Sequence, residues 1–446
     1  RRSSGRTPTP PPVSERAEWL ERLGDRLKED RQELAAWVLL ENGKNWREAD
    51  ADVMEAIDFC YYYAQQARQL GQGQQWRWPG EDNRYRREPR GPTAVILPWN
   101  FPLAILTGMT TAALVTGNPV VLKPSSNTPI TAYQFVKRAQ EAGIPDGVLQ
   151  LVPGSGSRVG NTLVQDPRIN LVAFTGSRQV GLSIHEKAAS LKQNETVIKN
   201  TVLEMGGKNA LIVDRDANLD EAIDGIIKSA FGYQGQKCSA CSRVLLPEEK
   251  ADAIVARLTE AVSSLRIGPA VNPGNFMGPV IDEDALTSIQ EYRELAYREG
   301  TVVLDVDPPD DIPEGYYVGP MIVDRVQPES RLAQEEIFGP VLPIIRYGSL
   351  SEALRIANNV DYALTGGFYS RHPERIERVK KEFRVGNLYI NEKITGAVVG
   401  RQPFGGFKLS GKGTKAGGPD YLKNFTWPRS TAENTVRRGF SPEEHL

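Results

Sequence analysis

Cys238 lies in the run GQKCSACSR (residues 235–243), small and polar and just after a predicted helix. A thiol attacks as its thiolate, so a nucleophilic cysteine needs access and positive or dipolar surroundings to lower its pKa from about 8.5. Small neighbours and the adjacent Lys237 would supply both. The same segment is compatible with a buried structural cysteine, the commoner fate of a lone one. A redox pair of Cys238 with Cys241 is a poorer reading, because such pairs open a helix in a much smaller domain. Glu204, in LEMGGKN, stands between an apolar run and two glycines. A carboxylate at a strand end in a tight glycine turn can be presented into a cleft, where burial raises its pKa toward that of a useful base. Asn100, in LPWNFP, is held in a proline-bracketed turn after a strand. Its amide could donate to a developing oxyanion or simply satisfy local backbone groups.

Two glycine clusters could let the backbone approach a phosphate. GSGSRVG (154–160) is one residue longer than the usual dinucleotide fingerprint, whereas GSRQVG (176–181) joins the apolar strand Leu171 to Phe174 to a helix whose N-terminus could face an anion. The second is the better candidate. Lys123, before Pro124 at a strand end, could reach a ribose or phosphate. The only histidines, His185, His372 and His445, fall in unrelated segments without metal-ligand spacing, so metal chemistry is set aside.

These residues need a scaffold, and the chain is long enough for two α/β units. After the proline-rich Thr7 to Pro12, Ser14 opens a helical pattern with Trp19, Leu20, Leu23 and Leu27 on one face. Further amphipathic helices follow, to about Leu40 and then through Tyr63. From Pro92, short apolar runs alternate with helix-length segments: Ala94 to Leu97, Val120 to Lys123, Val148 to Val152 and Leu171 to Phe174. That alternation predicts a mostly parallel sheet covered by helices. A second series, Ala210 to Val213, Ser242 to Leu246, Leu342 to Arg346, Gly366 to Tyr369 and Asn387 to Ile390, predicts a second α/β domain. Trp76 to Arg90 and the tail after Phe425 are polar without strong period. They read as arms toward a neighbouring subunit or as solvated loops.

A net charge of -2 without a basic stripe gives nucleic acid no electrostatic footprint. The most apolar stretch, Thr93 to Leu122, is broken by prolines and polar residues well short of a bilayer-spanning run, so no membrane insertion is expected. Three unevenly placed cysteines suggest a reducing compartment, with cytoplasm the default, and no signal-peptide pattern is visible.

The motifs LPWNFP, VVLKPSS, FTGSRQVG, LEMGGKN, GQKCSACSR, EEIFGPV and PFGG occur in this order between Gly91 and Asn424, and together resemble the aldehyde dehydrogenase superfamily. EADADVMEAIDFCYYY and NEKITGAVVGRQPFGGFKLSGKGTKAGGPDYL further resemble its branch acting on glutamate γ-semialdehyde, the 1-pyrroline-5-carboxylate dehydrogenases. The resemblance implies an α/β fold with a Rossmann-type cofactor domain, an α/β catalytic domain and a small β oligomerisation arm. Residues 1–203 would hold the N-terminal helices and cofactor domain, with 72–90 part of the arm; residues 204–424 the catalytic domain; and 425–446 a C-terminal arm or tail.

It also implies roles. Cys238 would be the nucleophile, Glu204 the general base, and the Asn100 amide with the Cys238 backbone N–H the oxyanion hole. Lys123 would bind the adenosine ribose, Gly176, Ser177 and Gly181 the pyrophosphate, and Glu336 the nicotinamide ribose, with Phe338 and Trp99 packing nearby. Ser239, Gly396 and Ala397 would hold the substrate's α-carboxylate and amine, and Phe101 and Phe404 would sandwich its methylenes. The activity implied is NAD(P)+-dependent oxidation of glutamate γ-semialdehyde to glutamate through a thioester, the second step of proline catabolism, in a homo-oligomer. Ser126 departs from the Glu of many NAD-preferring relatives, which leaves NADP open. The chain also begins later than full-length relatives. It is therefore expected to lack an N-terminal strand or arm and to be a fragment, or the C-terminal part of a protein that also carries proline dehydrogenase. The rivals are a dehydrogenase for another aldehyde, a coenzyme-A acylating one, and a catalytically silent assembly or channelling domain.

Overall fold

In a computed structural model that describes residues 10–192 and 195–436, the strands of the described residues fall into four sheets, of seven, six, three and two strands, with helices between them. Thr7 to Thr9, His445 and the tail beyond residue 436 lie outside the described residues. Helix α1 (Val13–Glu29) follows Pro12, buries Trp19, Leu20, Leu23 and Leu27, and packs along α3 (Trp46–Gly71). Between them runs α2 (Arg31–Asn42), which stops at Gly43 in the left-handed conformation, φ 72°. Asn45 caps α3 by accepting from the Glu48 N–H, and the helix continues past Tyr63 to Gly71 because Ala64 and Ala67 remain buried. The same three helices close one face of the first core, against α4 (Ala104–Val115).

The first sheet has six strands: β3 (Thr93–Ile96), β4 (Val120–Lys123), β5 (Leu149–Leu151), β6 (Leu171–Thr175), β7 (Asn200–Glu204) and β17 (Gly411–Lys412). Their order is β17-β7-β6-β3-β4-β5, parallel except for β17. From β3 the chain builds outward through β4 and β5, then returns to place β6 on the other side of β3. The connections therefore diverge between β3 and β6, which opens a crevice beyond their carboxyl ends.

The second sheet has seven strands: β8 (Asn209–Val213), β9 (Cys241–Pro247), β10 (Thr301–Asp305), β11 (Met321–Asp324), β12 (Val341–Tyr347), β14 (Thr365–Tyr369) and β15 (Asn387–Ile390). The order is β10-β11-β12-β9-β8-β14-β15, with only β10 antiparallel. Both series of apolar runs thus become the two expected sheets. A small ladder pairs β13 (Tyr362–Ala363) with β16 (Phe407–Lys408).

The polar stretches are strands, not loops. β1 (Gln74–Trp78), β2 (Glu81–Pro89) and β18 (Thr426–Asn434) form a separate antiparallel sheet, with Thr426 opposite Pro89 and Asn434 opposite Glu81. β1 is exposed along its whole length, so no apolar alternation marks it. Its Trp78 and Trp76 are open to solvent in the single chain.

Candidate active site

Glu204 and Cys238, the candidate base and nucleophile, come from opposite sides of the seam between the two sheets. Glu204 is the last residue of β7, and the four residues Met205 to Lys208 carry the chain across to β8. Gly206 and Gly207 are required there by crowding. A Cβ on Gly206 would lie 2.0 Å from Glu336 Oε2, and one on Gly207 would lie 2.7 Å from the Cys238 carbonyl oxygen. The Glu204 carboxyl is buried and accepts from the Gly406 N–H. Burial pushes its pKa up to about 8, against the opposing influence of Lys415 and that N–H.

Cys238 follows a tight turn at Gly232–Gly235 in which Tyr233 and Gln234 have φ of 52° and 56°. Asn209, the first residue of β8, pins the loop. Its Nδ2 donates to the carbonyls of Cys238 at 2.7 Å and Ala240 at 2.8 Å, while its Oδ1 accepts from Thr365 N at 3.0 Å. The Thr365 hydroxyl donates in turn to the Ser239 carbonyl at 3.2 Å. Cys238 is partly exposed, and its thiol is met by the backbone N–H groups of residues 238 and 239.

The surroundings of the thiol differ from the expectation. Lys237 does not serve it: Nζ is clamped by both Glu48 oxygens, at 2.6 and 2.7 Å. Burial, with Glu336 and Glu204 nearby, pushes the Cys238 thiol up to about 12, so the resting nucleophile is protonated at neutral pH. Small neighbours admit a substrate but do not acidify the sulfur. A positive charge brought into the cleft would.

Asn100 is 4% exposed, and its Nδ2 donates to the Gln236 carbonyl at 3.1 Å. One amide hydrogen thus orients the side chain two residues from Cys238, and the second is free to act as a donor. Three residues far apart in sequence therefore meet at one cleft.

The crevice between β3 and β6 collects the other candidates. Ser177 caps the helix Arg178–Ala189 by accepting from Val180 N, and Gly176 and Gly181 pack where side chains could not. Added Cβ atoms would meet Phe174 and Met205 at 2.5 Å. Lys123, at the end of β4, is buried with Nζ donating to the Pro124 carbonyl at 2.8 Å, and Ser126 is exposed in the turn that follows. Glu336 accepts from Gly207 N at 2.9 Å, and burial raises its carboxyl to about 7. Phe338 has φ 59° and meets Trp99 edge-on with centroids 5.5 Å apart. A helix N-terminus, close-packed glycines, a buried lysine, a carboxylate and an aromatic pair around one such crevice fit a dinucleotide.

A cavity of about 800 Å³ that reaches Lys237, the residue before Cys238, is walled also by Glu48, Glu55, Phe101, Thr395 and Gly396, among others. Gly396 has φ 80°, a conformation that favours glycine. Ser239 is buried beside the nucleophile, Ala397 follows Gly396 half-buried, and Phe404 is tied to Ala416 by two main-chain hydrogen bonds. Of the five substrate candidates, Phe101 and Gly396 lie on the cavity wall; Ser239, Ala397 and Phe404 are not among its lining residues.

The aldehyde dehydrogenase family profile matches residues 9–431. This chain belongs to the aldehyde dehydrogenase family. It is 47% identical over 408 residues to 1-pyrroline-5-carboxylate dehydrogenase of Geobacillus kaustophilus, covering 91% of this chain and 79% of that protein. Among solved structures it matches 1-pyrroline-5-carboxylate dehydrogenase from Thermus with bound NAD, with a TM-score of 0.92 and 43% identity, over 95% of this chain and 82% of that one. It also matches proline utilization A from Bdellovibrio bacteriovorus inactivated by N-propargylglycine, with a TM-score of 0.94 and 49% identity. That match covers 97% of this chain but 45% of the other, so this chain spans less than half the length of that protein.

Within this aldehyde dehydrogenase, Asn209, Thr365 and Lys415 are neighbours of the cleft that sequence reasoning missed. Asn209 lies inside the LEMGGKN motif, and an amide one residue beyond two glycines, at a strand start, was the available signal. Thr365 and Lys415 carried none. The crossover also has a testable tolerance. Gly206→Ala should cost about 1–3 kcal/mol of unfolding free energy, as overpacking does, through displacement of Glu336. A denaturant midpoint equal to wild type would show that Glu336 moves aside freely.

Proposed function

We propose that this chain oxidises L-glutamate γ-semialdehyde, in equilibrium with 1-pyrroline-5-carboxylate, to L-glutamate with NAD+, the second step of proline catabolism. The observation that carries this reading is the grouping of Cys238 with Glu204, whose charge reaches the thiol, and with Asn100, whose amide is bonded to the Gln236 carbonyl two residues before it. The names and coverage of the relatives support the choice of aldehyde.

Lys123, Gly176, Ser177, Gly181, Glu336, Phe338 and Trp99 would hold the cofactor. Bound NAD+ supplies the hydride acceptor and a positively charged ring. The Cys238 thiol gives its proton to a cleft water as the positive ring lowers its pKa, and the resulting thiolate attacks the aldehyde carbon; the carbonyl electron pair moves onto oxygen, where the Asn100 amide and the Cys238 N–H stabilise it. Collapse of that oxyanion with loss of hydride leaves a thioester on Cys238. Glu204 then takes a proton from water, the hydroxide adds to the thioester, and the Cys238 thiolate departs to leave glutamate. Phe101 and Phe404 flank the methylenes, and the Ser239, Gly396 and Ala397 backbone groups meet the α-carboxylate. Retention of both nucleophile and base argues against a silent domain.

Among the described residues, those up to 203 form the cofactor unit and 204–424 the catalytic unit, with 72–90 and the strand Thr426–Asn434 as arms that join copies in a homo-oligomer. The partial coverage of proline utilization A supports a proline dehydrogenase partner, covalent or not. Among the described residues no helix is long and apolar enough to cross a membrane; the reaction is assigned to the cytoplasm.

Reduced-cofactor absorbance tests the reading. Turnover is expected with the semialdehyde and NAD+, well above that with acetaldehyde. Ser126 carries no carboxylate to repel a 2′-phosphate, so NADP+ should also be accepted. Absence of turnover from folded, NAD-binding protein would overturn the reading.

A further inference from the structure

The loop that carries Gly405 and Gly406 brings a lysine to the base. Glu204 and Lys415 flank Gly405: a Cβ built there would lie 2.9 Å from Glu204 Oε1 and 3.4 Å from the Cα and Cγ of Lys415. The loop is fastened by reciprocal main-chain hydrogen bonds between Phe404 and Ala416, at 2.8 and 2.7 Å, and by β17, which sets Gly411 opposite Glu204. Lys415 Nζ donates to the Gly386 carbonyl, to Asn387 Oδ1 at 2.9 Å and to the Pro403 carbonyl at 3.4 Å. Asn387 is itself fixed, with Nδ2 donating to Pro403 O at 2.9 Å. These acceptors carry no net charge, so they orient the ammonium without neutralising it. On the other side, Glu204 Oε2 is buried and has no hydrogen-bond partner among the described residues.

We propose that Lys415 is a positioning residue for deacylation, whose fixed ammonium favours the ionised form of Glu204 and so sets the pH above which the thioester is hydrolysed. This rests on Glu204 being the deacylation base. Burial alone disfavours a carboxylate, and a cation held nearby opposes that cost without forming the direct ion pair that would tie up the oxygens. The titratable groups facing Glu204 are Lys415 from this loop, Cys238 from the segment before β9 and Tyr421 from the turn Tyr421–Phe425. Tyr421 is neutral at working pH, and Cys238 is acylated in the deacylation step, so Lys415 is the charged member of the set. Removing its charge raises the pKa of Glu204. The rising limb of the hydrolysis profile then moves to higher pH.

The test forms the acyl-enzyme from the semialdehyde in a single turnover, then follows hydrolysis after jumps to a series of pH values, with Glu204→Gln fixing the base-free rate. Lys415→Gln, which keeps a donor but not the charge, is expected to move the rising limb up by about one unit. That slows hydrolysis on the limb about tenfold and leaves the high-pH plateau in place. Lys415→Arg should restore the wild-type profile. An unshifted profile in folded Lys415→Gln overturns the proposal alone, whereas wild-type protein that forms no acyl-enzyme overturns the functional reading and the proposal with it. Lys415→Met is a second neutral variant. If both neutral variants fail to fold while Lys415→Arg folds, the role is structural and the proposal falls.

Discussion

Cys238→Ala should abolish aldehyde oxidation and leave NAD+ binding intact. In the proposed mechanism the sulfur is the electron-pair donor on which both the acylation and hydrolysis steps turn, and Cys241 cannot take its place. Cys241 is buried with its thiol against the Arg243 carbonyl, and burial holds it protonated. The loop should survive the change, because Asn209 binds the main-chain oxygens of residues 238 and 240 and makes no use of the sulfur. The crevice that takes the dinucleotide is built from β3, β4, β6 and Glu336, apart from the Cys238 side chain. Two measurements are needed: the burst of reduced cofactor, expected to vanish, and NAD+ affinity by calorimetry, expected to match wild type. Persistent turnover would remove Cys238 from the chemistry.

Asn100→Ala should lower kcat by about 100 to 1000-fold, the usual consequence of losing one oxyanion donor. Its amide is preset by the bond to the Gln236 carbonyl, so the donor needs no reorientation as charge develops on the substrate oxygen. Alanine also strands that carbonyl in a buried position, at a cost to stability of about 1–3 kcal/mol. The two effects separate when the denaturant midpoint is measured beside the rate at a temperature where the variant is fully folded. A folded variant with wild-type kcat would leave the oxyanion to other donors.

Much of this architecture is legible along the chain because the apolar strands are buried on both faces. Runs such as Val120 to Lys123 and Ala210 to Val213 stand out whatever lies beside them. β1, β2 and β18 do not, since β1 and nearly all of β18 face water and the pairing of β2 with β18 joins segments more than 300 positions apart. β10 (Thr301–Asp305) and β11 (Met321–Asp324) are not among the runs read from the sequence. At the site, Glu204 behaves as its strand-end position suggested. Lys237 does not, because its partner Glu48 lies on another helix, 189 residues away, and no local signal announces it. The identity of an acidic partner is a long-range fact; the exposure of a strand end is a local one.

The closing strands give the protein an awkward order of manufacture. The six-stranded sheet takes its edge strand from Gly411–Lys412, and β2 takes a partner from Thr426–Asn434, after the entire seven-stranded unit has been laid down. A ribosome delivers residues from the amino end, so the half that begins first is finished last. Until those final segments emerge, β2 presents an open edge and the strand that ends in Glu204 lacks its outer neighbour. The nascent chain must hold an incomplete first half while the second half folds, a stage at which a chaperone has most to protect.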